Sequence, residues 1–246
     1  MRGSVQDDMA AAADAFVAWW ALAGVDSATD EAAVNWLRAV PAQIRRAGER
    51  LPVAPAQDDP STLAEFHRWI VSDPAQPERR WPGSPILPSG PVNAPLMIVT
   101  DMPDTADVAA GALLVDRAGA LFDAMLRAIG FQRPDIYLAS LFLSRPPGGM
   151  VEAAELDHAA TRMAAHVALA APRRLLILGD RTVRALLPTN DDRIGMADAD
   201  GLRVFNHKGG NVSAVATFHP RLLLTQPAAK AECWRVLQRL IEETPQ

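Results

Sequence analysis

His219 is the residue whose type and position most strongly suggest chemistry in this chain. It follows residues 213–218, an apolar run that predicts a buried strand, and it precedes Pro220. Proline restricts the residue before it to extended conformations, so the histidine backbone is held stiffly at the end of the strand. Such a histidine either belongs to a ligand site or has its ring satisfied by a neighbouring backbone carbonyl. This segment alone leaves both interpretations open.

Short apolar strands alternate with helices after residue 95, and this order predicts the fold class. The predicted strands are residues 96–100, 136–143, 175–179, 203–205 and 213–218, and the predicted helices are residues 118–129, 152–171, 180–187 and 227–243. Alternation of this kind indicates a mostly parallel sheet covered by helices on both faces. We therefore expect a three-layer α/β/α domain with a central, mostly parallel sheet.

Ligands of such sheets bind at the carboxyl ends of the strands, and this rule predicts where the site lies. Four segments should reach that edge: residues 100–107, 140–149, 179–181 and 218–224. We expect the site among Asp101, Ser140 and His219, within roughly 15 Å of one another, the span of one ligand pocket.

The remainder of the chain divides by composition. Residues 1–50 contain two predicted helices and form a helical extension. Residues 51–95 hold ten of the twenty prolines, which predicts an extended connector packed on the domain. Residues 96–246 form the α/β domain itself.

Composition excludes several classes of protein. No apolar stretch reaches the roughly 18 residues needed to span a bilayer, and the first residues lack a secretory pattern, so a cytoplasmic location without a membrane partner is expected. Cys233 is the single cysteine, which excludes an intramolecular disulfide and any metal centre held by several cysteines. We expect Cys233 to be a small buried hydrophobic residue.

The net charge of −5 argues against a nucleic-acid partner, but its distribution is uneven. Residues 1–66 carry ten acidic and five basic side chains, which is the whole excess. Residues 202–239 carry one acidic residue, Glu232, and six basic ones: Arg203, Lys208, Arg221, Lys230, Arg235 and Arg239. This segment is either a basic face that meets phosphate or a solvated helix face.

Several segments, in one order, resemble the uracil-DNA glycosylase superfamily, closest to the family 4 type of bacteria. They are AWWALAGVD (18–26), LLVDRAGALFDAMLRAIGF (113–131), IYLASLFLSRPPGG (136–149) and ATFHPRLLLTQPAAKAECW (216–234). The resemblance implies a four-stranded parallel sheet between helices. It also implies cleavage of the N-glycosidic bond of uracil flipped out of DNA, since that bond is buried in the duplex stack.

The resemblance also implies roles for individual residues. Asp101 stands at the acidic position that assists attack of water on the sugar carbon. His219 stands where a histidine stabilises the charge that develops on the uracil oxygen. The leucines after His219-Pro220, Leu223 and Leu224, stand where side chains wedge into the base stack.

For the substrate and the DNA, the resemblance is uneven. Met102 and Pro103 lie in residues 100–104, which stand where the family's first motif reads Gly-Glu-Ala-Pro-Gly. Leu114 occupies the position of the ring that stacks on the base, and Ser140 occupies the position of the asparagine that reads the edge of the base. The residues expected to contact DNA are Arg145, Lys208, Arg221, Leu223 and Lys230. Asp104 replaces a glycine and adds a negative charge that would oppose phosphate. We therefore expect uracil excision to be weak, altered or lost.

Two functions remain open. One is an enzyme that removes a damaged or deaminated base, acting through Asp101 and His219. The other is a catalytically silent protein of the same fold that binds DNA weakly and in a salt-dependent manner, or binds a repair partner through its N-terminal region. The two differ in whether Asp101 and His219 face one dry pocket.

The cysteine pattern generates a first prediction. The resemblance places Ser144 at a position where the family has a cysteine ligand of an iron-sulfur cluster, and it places Cys233 at no ligand position. No cofactor or metal is therefore expected. The purified protein should be colourless and should contain no stoichiometric iron by elemental analysis. Broad visible absorption together with bound iron would show that the ligands have been misidentified.

Overall fold

A computed structural model describes residues 60–187 and 203–242. Within these residues the sheet has five strands: β1 (Leu96–Thr100), β2 (Ile136–Ser140), β3 (Arg174–Leu178), β4 (Arg203–His207) and β5 (Gly210–Thr217). Their order across the sheet is β2-β1-β3-β5-β4. The first four in this order pair in parallel, while β4 pairs antiparallel with β5 at the edge. The expected parallel sheet is confirmed, with one antiparallel edge strand added.

Seven α-helices lie in the described ranges. They are α1 (Leu63–Ser72), α2 (Thr105–Ala110), α3 (Asp116–Ala128), α4 (Ala153–Ala170), α5 (Asp180–Leu186), α6 (Pro220–Thr225) and α7 (Ala229–Glu242). The sequence did not predict α2 or α6, because six residues are too few for a helical period to stand out. None of the helices in these ranges is long and apolar enough to cross a membrane.

The burial of the strands explains the three layers. Every residue of β1 and β2 is buried, as expected for strands covered on both faces. Along β1, Met97 and Val99 pack into the core cluster that contains residues of α4 and α5. Leu96 and Ile98 pack into the other cluster, with residues of α3 and α7. The alternation confirms the α/β/α class, and buried Cys233 belongs to the second cluster, as the sequence predicted.

The segment before β1 lies against the domain from Pro60 onward. In α1, Phe66 and Ile70 are buried and pack beside residues of α4. Backbone hydrogen bonds join Ile86 to Leu143 (2.8 Å) and the amide of Ser89 to the carbonyl of Leu138 (2.9 Å). The two helices predicted in residues 1–50, and residues 51–59 of the predicted connector, lie outside the described residues.

A buried ion pair fixes the chain that follows β2. The guanidinium of Arg162 in α4 lies 2.6 Å from the carboxylate of Glu78 and donates to the carbonyl of Leu141 (2.5 Å). Glu78 also accepts from the amide of Leu143 (3.1 Å). Burial alone would raise the pKa of Glu78, but the hydrogen bond and charge of Arg162 outweigh it, so the pKa is lowered. The pair therefore holds the loop that leads to Arg145.

Breaking this pair should cost much stability. Glu78→Gln keeps the shape of the side chain but leaves the Arg162 charge buried and uncompensated. We expect the free energy of unfolding to fall by about 3–5 kcal/mol in urea denaturation. Arg80→Gln is the matched control, because Arg80 pairs with Glu155 while 68% exposed. Its loss should stay below about 1 kcal/mol. Equal losses for the two variants would contradict the structural role of the buried pair.

Candidate active site

A small pocket opens where β1, β3 and β5 end. Its volume is about 140 Å³, and it is lined by Asp101, Met102, Arg145, Leu178, Gly179, Asp180, Arg181, His219 and Arg221. An engineered protein cavity of roughly 150 Å³ holds a benzene ring. The volume of the pocket is therefore close to that needed for a single ring.

His219 caps the start of α6 and lines this pocket. Its Nδ1 accepts a hydrogen bond from the backbone amide of Arg221 (3.2 Å), so the neutral ring carries its proton on Nε2. Burial, reinforced by the charge of Arg221, lowers the pKa of His219 to about 4, although Asp107 and Asp104 act in the opposite direction. At neutral pH the ring is thus an uncharged donor. The hydrogen bond found for the ring is therefore from a backbone amide to Nδ1, and not to a backbone carbonyl, as one of the two interpretations of the sequence required.

Asp101 directly follows β1 and faces the same pocket. Its Oδ2 accepts from Nη1 of Arg181 (3.0 Å), whereas Oδ1 is buried without a hydrogen-bond partner among the described residues. Burial raises the pKa of this carboxyl group and outweighs the opposing charges of the three arginines that line the pocket. Oδ2 is therefore held by Arg181, whereas Oδ1 is a buried acceptor without a partner in the described part of the chain.

Three guanidinium groups surround these two residues, each from a different segment. Arg145 follows β2, Arg181 lies in the first turn of α5, and Arg221 lies in the first turn of α6. Asp104, at the start of α2, contacts Arg221 directly and lies 4.0 Å from Arg145. The rim of the pocket is thus a set of alternating positive and negative groups.

The structure brings together only some of the residues predicted to bind the base. Met102 lines the pocket, and the buried Pro103 accepts a hydrogen bond from Arg145 through its carbonyl (3.4 Å). Ser140 and Leu114 are each 2% exposed and do not line the pocket. The Ser140 hydroxyl donates to the carbonyl of Phe142 (2.7 Å), and Leu114 packs in the apolar core. Neither side chain is in position to read a base.

The backbone explains the placement of Leu114. Its φ of 53° lies in the left-handed region, and Arg133 donates to its carbonyl (2.5 Å). A Cβ atom placed on Gly119 would lie only 1.9 Å from this carbonyl oxygen of Leu114, so only glycine fits at position 119. Asp107, which sequence reasoning missed, accepts from the amides of Asp104 (3.0 Å) and Val115 (2.9 Å). These contacts fix the loop through its backbone and not through the leucine side chain.

The residues predicted to contact DNA are divided between the carboxyl ends and the amino ends of the strands. Arg145 and Arg221 line the pocket, and Lys230 is exposed in the first turn of α7. Leu223 is 2% exposed and packs in the core, so the wedge role does not fit its placement. Lys208 lies in the turn between β4 and β5, at the amino end of β5, whereas His219 follows the carboxyl end of that strand. The length of β5, about 25 Å, separates Lys208 from Arg221, so these two residues do not lie on one basic face.

Sequence reasoning also missed Arg181. The sequence did place residues 179–181 at the ligand edge, immediately after a strand, and an arginine at the start of a helix there was the available signal. Nothing in the sequence pattern indicated that this arginine would pair with Asp101.

The state of His219 can be measured by nitrogen NMR of the imidazole. The ring should remain neutral from pH 7 down to about pH 4, with its proton on Nε2. Arg221→Gln should move the pKa upward, because it removes a cation that disfavours protonation. His219→Asn assigns the signal among the five histidines. Arg184→Gln, which alters an exposed arginine paired with Asp180, is the control and should leave the pKa unchanged. An imidazole charged at neutral pH would contradict this placement.

Comparison with known proteins agrees with this architecture. A sequence model described as the Uracil DNA glycosylase superfamily matches residues 87–238, more than half of the chain. The Type-4 uracil-DNA glycosylase of Pyrobaculum aerophilum is 24% identical over 173 residues, which covers 69% of this chain and 88% of that protein. The matched region contains every segment that lines the pocket. The chain therefore belongs to the uracil-DNA glycosylase superfamily.

Proposed function

We propose that this protein contacts DNA and takes a flipped base into the pocket between Asp101 and His219, with excision of uracil that is weak or absent. The observation that carries the proposal is the meeting of a carboxylate and a neutral imidazole in one small pocket. A flipped base is required because a base inside the duplex stack cannot reach such a pocket.

The chemistry available to these two groups is hydrolysis of a glycosidic bond. As the bond between the sugar carbon and the base nitrogen breaks, its electron pair moves to the base. The Nε2–H group of His219 then donates to the base oxygen that gains negative charge. A water molecule adds to the sugar carbon and transfers a proton to the carboxylate of Asp101. The raised pKa of Asp101 makes this carboxylate a stronger acceptor of that proton.

Weak discrimination of uracil follows from what lies outside the pocket. Leu114 supplies no aromatic ring, and Ser140 spends its hydroxyl on a backbone carbonyl. Loss of base–aromatic stacking costs about 1–3 kcal/mol. Loss of a bidentate amide contact costs a similar amount, about 1–3 kcal/mol. Together these losses correspond to roughly two to four decades in the binding of the base.

A second candidate is a catalytically silent protein of the same fold. It is favoured by the ion pair between Arg181 and Asp101, which occupies Oδ2 of the proposed base. In this role Arg145, Arg221 and Lys230 would bind DNA in a salt-dependent manner, and residues 1–50 would offer a surface to a repair partner. The two candidates share the pocket and differ in whether a bond is cleaved in it.

A single-turnover assay separates the two candidates. The protein in excess is incubated with a labelled uracil oligonucleotide, and cleavage at the abasic product is followed over time. We expect slow excision, reduced about 100-fold or more by His219→Ala and by Asp101→Asn, because charge-stabilising and proton-transfer groups each contribute about that much.

Matched variants and a reference enzyme define the outcomes. Ser140→Ala, at a position outside the pocket, should leave the rate unchanged. No cleavage on any oligonucleotide would favour the silent binding protein. Turnover as fast as that of an ordinary family enzyme would show that the replaced positions do not matter. Slow cleavage that survives both pocket substitutions would place the site elsewhere.

A further inference from the structure

We propose that Arg145 and Arg221 form a subsite for a backbone phosphate of single-stranded nucleic acid, and that Asp104 fills this subsite in the unbound protein. The inference rests on the proposed function only in taking nucleic acid as the ligand. It adds the atoms that bind the backbone and the residue that opposes this binding.

The two arginines converge on one carboxylate from separate segments. Arg221 contacts Oδ2 of Asp104, and Nη1 of Arg145 lies 4.0 Å from Oδ1. Arg145 and Arg221 are 33% and 45% exposed, so both guanidinium groups are accessible from solvent. A tetrahedral phosphate between two guanidinium groups would satisfy the same charges with more acceptor oxygens than a carboxylate has.

The location also suits a phosphate that flanks a flipped base. Arg145 and Arg221 line the same pocket as Asp101 and His219, so a nucleotide whose base enters the pocket would have its backbone at this rim. Arg181 pairs with Asp101 and not with Asp104, so its guanidinium group is not one of the two that converge on the Asp104 carboxylate.

Asp104 cannot move aside easily. It is the N-cap of α2, where its Oδ1 accepts from the amide of Thr105 (2.8 Å). The buried Asp107 holds the Asp104 backbone through the amide (3.0 Å). An incoming phosphate would therefore meet a fixed carboxylate, and the arginines would have to turn away from Asp104 to bind it. Like-charge repulsion at this rim should lower the affinity for nucleic acid.

Asp104→Asn tests this inference without removing the helix cap, because asparagine caps helices as well as aspartate does. Binding of a labelled oligothymidylate is measured over a series of salt concentrations. We expect affinity to rise by about tenfold at low salt. The slope of log K against log salt should steepen by about 0.7 for each additional phosphate that the protein neutralises.

Asp135→Asn is the control. Asp135 is exposed and lies just before β2, at the amino end of the strand and away from the pocket. It accepts a hydrogen bond from the amide of Gln132 (2.8 Å). It changes the net charge equally and should leave affinity almost unchanged. In the double variant Arg145→Gln and Arg221→Gln, adding Asp104→Asn should bring no increase in affinity. Asp104→Ser, which retains a capping hydroxyl, replaces the asparagine variant if the latter does not fold.

Three outcomes would overturn the inference. Equal increases for Asp104→Asn and Asp135→Asn would indicate a net-charge effect alone. An increase that persists without both arginines would place the subsite elsewhere. Thymidine monophosphate bound as tightly as the oligomer would identify a free nucleotide, and not a backbone, as the ligand.

The excision assay separates this inference from the proposed function. Tighter binding by Asp104→Asn in a protein that cleaves nothing would support the phosphate subsite and contradict the proposed excision activity. Excision that continues while Asp104→Asn binds no better than wild type would sustain the enzyme and remove the subsite.

Discussion

Parallel pairing of β1 with β3 and of β3 with β5 is the constraint on which the pocket depends. The register places Val99 beside Ile177 and Leu178 beside Thr217, so the chain leaves all three strands at the same height. The next residues on these strands include Asp101 and His219. A slip of one residue would exchange the two faces of a strand and move buried side chains out of their core. The apolar core therefore fixes the positions of the polar residues that follow it.

The pocket balances burial against charge. Burial makes the charged forms of Asp101 and His219 less favourable, and for both residues this effect is larger than that of the neighbouring charges. Three arginines that line one small pocket would repel one another if no negative groups lay between them. Asp101 and Asp104 supply those counter-charges, which means that the residues opposing a phosphate also allow the arginines to lie together.

The sequence predicted the sheet well because strand identity depends on local apolar runs. Residues 96–100 match β1 throughout, and the proximity of Asp101 and His219 followed from the rule for parallel sheets. The surroundings of Leu114 were not predictable, since they depend on a left-handed backbone and on a contact from Arg133, nineteen residues away. The place of Lys208 could have been deduced. A hairpin that precedes a parallel strand must have its turn at the amino end of that strand, away from the ligands.

The charges at the rim also bear on the chemistry itself. When a glycosidic bond breaks, the base becomes negative while the sugar becomes positive. Guanidinium groups beside the base favour this separation of charge, but the same groups beside the sugar oppose it. Asp101 faces both demands, because its carboxylate pairs with Arg181 and also lies in the pocket that would hold the sugar and the water. Three arginines close to Asp101 oppose the positive charge of the sugar, which is why slow excision is expected.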